Sequence, residues 1–442
     1  MPEIRPFRAL RYDPEVVGDL GRVLAPPYDV ISPDQRVQLV ARSKRNVVRI
    51  DLPVSDATDT DPDERYRRAA RTFASWRTDG TLRKDPRPSF YVYEQTYAVP
   101  GSTVVRVQRG FMGRLRLEPF SPDGGIRPHE RTLAGPREDR WKLMRATSAN
   151  LSPVVGLYAE PGGRAAAILA SIASRQPEID VTDDDGVRQR LWMVTADGPD
   201  RAAVAELIAI VAAGPVDIAD GHHRYETALR YRGERHRTSS ADQDPDYDYI
   251  LALLFEWTRE QLTVLATHRI VRGLGDGGAD ALRAAAGGLF DVEPVRDADA
   301  LAAAFAPASL VPGGQGRFGL WTRNGGAILR ARRAAFEPWL PEGGDALRRL
   351  DVTLLQVALE RLAGLDPAAV AAGDRVAYSK ASDDAVARVT ARAEGADAAF
   401  LLDPTPISDI AAVAAAGDVM PQKSTYFYPK ALTGLVLNPL EQ

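Results

Sequence analysis

The short apolar run Pro215-Val216-Asp217-Ile218-Ala219 breaks at Asp220-Gly221 and passes straight into a helical pattern, His222-His223-Arg224-Tyr225-Glu226-Thr227-Ala228. A strand that turns at a glycine into a helix ties sheet and helix together and gathers polar side chains where the first helical N–H groups lack partners. Such a helix start binds anions readily. Four of the five histidines, His129, His222, His223 and His268, fall in dense polar clusters. Histidine suits protons, metals and phosphates near neutral pH, so this clustering predicts one site assembled from distant segments.

The rest of the chain supplies a large scaffold. With 442 residues, 45% of them apolar, it can bury a substantial core, as two or three domains or as one elaborated domain. A net charge of -4 provides no overall attraction to nucleic acid or anionic membranes. The absence of cysteine excludes disulfides, thiol catalysis and Cys-ligated metal centres, so any catalysis runs on oxygen and nitrogen groups. The charged start and the lack of a long apolar run predict a cytoplasmic protein without a membrane span. Oligomeric state is open.

Ser32-Pro33-Asp34-Gln35 reads as an N-cap with proline in the first turn, opening a helix to about Ser43. A second helix is expected from Asp63 to Trp76. Phe90 to Tyr97 and Thr103 to Leu117 alternate around Pro100-Gly101-Ser102 as a β-hairpin does. Val187 to Thr195 and Leu262 to Ala266 are further strands. From Gly273 the chain turns alanine-rich, with loops at Val311-Pro312-Gly313-Gly314 and Pro341-Glu342-Gly343-Gly344. Helices there surround strands at Phe318 to Thr322, Val376 to Tyr378 and Ala399 to Leu402. The expectation is a mixed α/β or α+β fold with an N-terminal lobe, 1–272, and an Ala-rich lobe, 273–442, whose segment 420–430 returns to the site.

Besides the 220–224 junction, three clusters carry chemistry. Arg127-Pro128-His129-Glu130-Arg131-Thr132 precedes Arg137-Glu138-Asp139-Arg140-Trp141-Lys142. A carboxylate beside a histidine and several cations can accept a hydroxyl proton, which makes Glu130 the candidate base and His129 its companion. Ordinary surface ion pairs would explain the same residues. Met420-Pro421-Gln422-Lys423-Ser424-Thr425-Tyr426-Phe427-Tyr428-Pro429-Lys430 sets lysine beside two hydroxyls and suits a phosphate or carboxylate, unless it is simply an aromatic terminal strand. Thr267-His268-Arg269 is the weakest cluster. Asp220 and the histidines after it could equally cap a helix, and the two adjacent rings must project to different sides, one toward a ligand and one into packing. No Gly-x-x-x-x-Gly-Lys-Ser/Thr loop, His-Glu-x-x-His or Gly-x-Ser-x-Gly motif occurs, and Asp180 to Gly186 lacks the glycine and closing Glu of a calcium loop.

Taken together, Ala25-Pro26-Pro27-Tyr28-Asp29-Val30-Ile31, Pro128 to Thr132 with Asp139-Arg140, Asn150-Leu151-Ser152-Pro153, Asp220 to Ala228, Thr267-His268-Arg269 and Met420 to Lys430 resemble the signature blocks of the domain-of-unknown-function family numbered 1015. That name carries no activity. More distantly, His129-Glu130, Pro153-Val154-Val155, Asp220 to Arg224 and Pro421 to Thr425 resemble, in order, elements of the free-serine kinases of the ParB/sulfiredoxin-like fold. This resemblance implies a ParB/sulfiredoxin-like core elaborated at both ends and a kinase acting on a small hydroxyl compound, serine or serine-like, with Mg²⁺ and ATP or ADP. It implies Glu130 as base and Asp220 as ligand of Mg²⁺ or substrate. It implies Gly221, His222, His223 and Arg224 around phosphates, and Lys423, Ser424 and Thr425 on a phosphate or the substrate carboxylate. Arg140, His268, Arg269 and Lys430 are candidates for holding substrate. The alternatives are a CTP- or ATP-binding ParB-like regulator, which the acidic chain disfavours as a DNA partner, and a phosphohydrolase using the same residues. About ninety residues separate Glu130 from Asp220, far more than in those kinases, which requires an insertion or second lobe around the site.

Overall fold

The computed structural model describes residues 1–121, 124–130, 134–238, 244–258, 262–306 and 316–440. Arg131, Thr132 and the Val311-Pro312-Gly313-Gly314 loop lie outside the described residues. The fold is mixed α/β, built on two sheets.

The larger sheet has nine strands. Across it run Ile126–Pro128, Val216–Asp220, Val154–Tyr158, Tyr249–Glu256, Val105–Arg116, Ser89–Ala98, Arg188–Thr195 and Ile179–Thr182, with Ile4–Arg5 pairing Val105–Arg116. Pairing is antiparallel except where Val216–Asp220 meets Ile126–Pro128 and where Tyr249–Glu256 meets Val154–Tyr158. Both faces are covered. Strand alternation sends Tyr91 and Tyr93 into one core and Phe90 and Val92 into the other. The second of these is roofed by helices Arg164–Ala173 and Arg201–Ala212, whose Leu169, Ile172, Val204 and Leu207 are buried.

The smaller sheet is antiparallel and orders Phe290–Val295, Gly325–Ala331, Arg317–Thr322, Ala396–Leu402, His268–Arg272 and Val376–Ser379. It therefore takes in His268–Arg272, upstream of the alanine-rich stretch. The expected helices appear as Pro33–Arg42, capped by the Ser32 hydroxyl, and Glu64–Thr78, and the expected hairpin as Ser89–Ala98 and Val105–Arg116. The chain then comes back. Tyr426–Tyr428 pairs Thr263–Leu265, and Asn438–Pro439 pairs Ala149–Asn150 deep in the larger half. Among the described residues no helix is long and apolar enough to cross a membrane.

Candidate functional site

Where the two sheets meet, a cavity of about 660 Å³ opens. Six segments line it: the turn Tyr28 to Ser32, Glu130, the junction Ala219 to Arg224, Thr267, Tyr378 to Ala381 with Asp384, and residues between Gln422 and Lys430. The N-terminal turn, which is not among the kinase-like elements of the sequence, is thus part of the same wall.

The junction is shaped by Gly221. Its φ of +85° turns the chain out of Val216–Asp220 and into the 17-residue helix His222–Thr238. A side chain there would also meet the Arg224 guanidinium, whose Nε and Nη2 lie 2.9 Å from the position a Cβ would take. Asp220 Oδ1 accepts the Gly221 N–H at 2.8 Å, while Oδ2 receives the Lys430 ammonium at 3.0 Å and lies 3.8 Å from Arg224 Nη2. Burial alone would raise the Asp220 carboxyl, but Lys430 and Arg224 outweigh it and hold the group well below the usual carboxylate range. Arg224 is buried and anchored, with Nη1 donating to the Pro153 carbonyl and, at 3.1 Å, to the Ser152 hydroxyl.

The adjacent histidines divide as their spacing requires. His222 is buried, and its Nε2 accepts the His129 backbone N–H at 3.3 Å; His223 is only half-buried and borders the cavity. His129 is not on the cavity wall. Its Nδ1 donates to the Ile218 carbonyl, and its Nε2 accepts from the Thr425 hydroxyl at 3.0 Å. Burial holds its pKa down to about 4, so it is neutral at physiological pH and spaces the junction from the C-terminal segment.

Glu130 faces the cavity beside that spacer. Its Oε1 accepts the Lys423 backbone N–H. Burial, helped by the negative charge of Asp220, lifts its carboxyl to about 7 against the pull of Lys423. The Lys423 backbone is gripped from the other side too, since its carbonyl accepts from Arg269 Nη2 at 3.1 Å. Held so, it sits at a φ of +55°, an uncommon conformation for a residue with a side chain, and its ammonium borders the cavity.

Several expected residues stand elsewhere. Ser424 is buried with its hydroxyl turned to the Pro421 carbonyl, so only Lys423 and Thr425 of that trio reach the cavity. His268 is buried in the smaller sheet, its Nδ1 accepting the Leu402 N–H at 3.3 Å, and Arg269 supports the Lys423 loop. Arg140 is buried behind the wall, 3.9 Å from the Tyr28 ring and donating to Asp139 and to the Asp51 carbonyl. Its neighbours Arg137, Glu138 and Lys142 form ion pairs with Glu226, Arg230 and Asp63.

Sequence reading passed over Lys380. Its ammonium donates to the Tyr426 hydroxyl at 2.6 Å and lies 3.8 Å from the centre of that ring. Solvent reaches it, yet enclosure and the nearby Lys430 charge lower its pKa to about 8. A signal for it existed. The chain has only six lysines, Lys44, Lys84, Lys142, Lys380, Lys423 and Lys430, among 56 basic residues, and the last three border one cavity.

The sequence matches the family described as "Protein of unknown function (DUF1015)" over residues 4–353, and the chain belongs to that family. The matched span includes the junction and Glu130 but ends before the lysine-bearing 420–430 segment. Among curated proteins none matches the chain in sequence. Similar solved structures include a conserved hypothetical protein from Pyrococcus furiosus, 15% identical with a TM-score of 0.34, covering 74% of this chain and 93% of that one. A free serine kinase in complex with AMP is 14% identical with a TM-score of 0.36, covering 75% of this chain and 90% of that one. C-terminally truncated SbnI from Staphylococcus aureus is 12% identical with a TM-score of 0.36, covering 74% and 87%. Likeness at this level carries no weight for function.

Proposed function

We propose that the cavity is a phosphoryl-transfer site that takes ATP or ADP with Mg²⁺ and phosphorylates the hydroxyl of a small metabolite, serine or a serine-like compound being the first to test. One observation carries this reading: a carboxyl lifted to about 7 shares a 660 Å³ space with the start of a 17-residue helix and half of the chain's lysines. The volume suits a nucleotide-sized ligand, since small-molecule pockets run from roughly 300 to 1,000 Å³.

Phosphoryl transfer asks chiefly for positioning and for neutralisation of charge. The N–H groups opening the helix, with Lys423, would hold phosphate oxygens. Glu130, partly ionised at neutral pH, would take the proton of the acceptor hydroxyl as its oxygen bonds to the terminal phosphorus and the bond from that phosphorus to the bridging oxygen breaks, ADP leaving from ATP or AMP from ADP. Arg224, locked against Ser152 and Pro153, would keep the junction in shape and present its charge beside Asp220. Among the described residues no group of three or more His, Asp or Glu could hold a metal alone. That donor set fits Mg²⁺, which is commonly held by one or two carboxylates with phosphate oxygens and water completing its shell. Asp220, kept ionised, would be its protein ligand, and the ion would neutralise phosphate charge. A ParB/sulfiredoxin-like ancestry of the core belongs to the same proposal.

Thermal unfolding with ATP, ADP or CTP, each with and without Mg²⁺, tests it, because a ligand of the folded state alone raises Tm. The expected result is a rise with ATP or ADP that Arg224→Ala removes, followed by phosphorylation of L-serine or a relative in a substrate screen. A rise with CTP alone would favour a regulator, release of phosphate without an acceptor would favour a hydrolase, and no rise would defeat the nucleotide reading.

A further inference from the structure

A second cavity, of about 400 Å³, lies in the C-terminal half, apart from the helix junction. Most of its lining is apolar: Pro341, Leu347, Val357 and Ala371 form its walls, and the half-exposed ring of Trp339 borders it. The Arg361 guanidinium lies 3.7 Å from the centre of that ring and fixes it from outside. The polar groups on the lining are few. Thr353 Oγ1 already donates to the Leu347 carbonyl at 2.8 Å, and Gln356 Nε2 to the Leu365 carbonyl at 3.4 Å. The Thr353 hydroxyl and the Gln356 amide oxygen keep acceptor capacity toward a ligand, to which Glu360 adds a carboxylate.

Gln422 borders this cavity and the larger one alike. Its amide oxygen is buried and has no hydrogen-bond partner among the described residues, an arrangement that buried polar atoms rarely show. Turning that amide toward a donor placed in the cavity removes the deficit. Apolar walls, an aromatic rim and a few polar groups define a small-molecule pocket rather than a gap in packing, for gaps in a core are seldom larger than a water molecule.

We infer that this cavity binds a second ligand, a largely apolar molecule of fused-ring size that carries a hydrogen-bond donor and no negative charge. Glu360 excludes anions, the walls take the ring system, and Gln422 with Gln356 accepts the donor. The site is independent of the phosphate chemistry proposed for the larger cavity.

Equilibrium dialysis of the full chain with 2-naphthol, 2-methoxynaphthalene and 2-naphthoate tests the assignment. Saturable 2-naphthol binding is expected, about tenfold tighter than that of 2-methoxynaphthalene, which lacks the donor, with 2-naphthoate not binding. Ala371→Phe should abolish the binding by filling the cavity. Gln422→Leu should bring 2-naphthol down to the level of the methyl ether while leaving the ether unchanged, which a folding defect would not do. Absence of saturable 2-naphthol binding, or binding that both variants leave intact while their melting temperatures match the parent, would overturn the proposal.

Discussion

At the scale of single residues, Glu130 carries the sharpest expectation. Its carboxyl titrates near 7 in the folded chain and near 4.5 when free, so the folded state holds its proton more tightly. The stability this adds is complete below about pH 4.5 and is lost as the pH climbs through 7. Glu130→Gln keeps the shape and cannot ionise. It should therefore leave the unfolding free energy nearly unchanged at pH 4 and raise it at pH 8, by on the order of 3 kcal/mol, read by urea denaturation at the two pH values. The same substitution should abolish turnover while leaving nucleotide affinity nearly intact, and the parent rate should rise with pH through about 7 as the base ionises. Glu130 and Asp220 were legible in the sequence because a carboxylate among cations, or before a glycine, is a local pattern. The seating of His129 was not, since its partners Ile218 and Thr425 lie far away along the chain. Lys380 has only small and hydroxyl-bearing neighbours in sequence, and its role comes from a ring 46 residues further on.

Among elements, the strand-to-helix junction was the most legible, because a glycine between an apolar run and a helical pattern has few other meanings. Its consequence is a steric one. Gly221→Ala combines the disfavoured φ of +85° with a methyl group 2.9 to 3.0 Å from the Arg224 guanidinium, which Ser152 and Pro153 prevent from retreating. A loss of about 2 kcal/mol or more is expected from strain and the displaced arginine. Circular dichroism during thermal unfolding would show it, and a neutral Gly221→Ala would mean that Arg224 is free to move. Hairpin and helix boundaries were also readable from alternation and caps. The neighbours of each strand were not, because register and sheet order follow from packing: Val216–Asp220 lies between Val154–Tyr158 and Ile126–Pro128, which no local pattern announces.

Over the whole molecule, Tyr426 to Pro439 tie the C-terminal stretch to the larger half, past the 420–430 segment that the sequence expected to return to the site. Tyr426–Tyr428 brings Lys423 and Lys430 to the junction, and beyond it the chain runs into the larger half. There Leu437 exchanges backbone hydrogen bonds with Leu10, and the buried Asn438 bonds Asn150 and Arg114 at 2.8 and 2.7 Å. Leu435, Val436 and Leu437 are each at most 2% exposed. Removing residues 431–442 would keep every cavity lysine but uncover this core and take away the Asn438 bonds to Asn150 and Arg114. Each fully buried side chain of this size contributes roughly 1.5–3 kcal/mol, so the loss approaches the whole stability of an ordinary domain. A chain ending at Lys430 should therefore be cut by trypsin at arginines of the larger half under conditions where the full chain resists, and should fail to show any nucleotide-dependent rise in Tm. Protease resistance equal to the parent would mean that the terminal clasp is dispensable and that the strand Tyr426–Tyr428 alone holds the lysines in place.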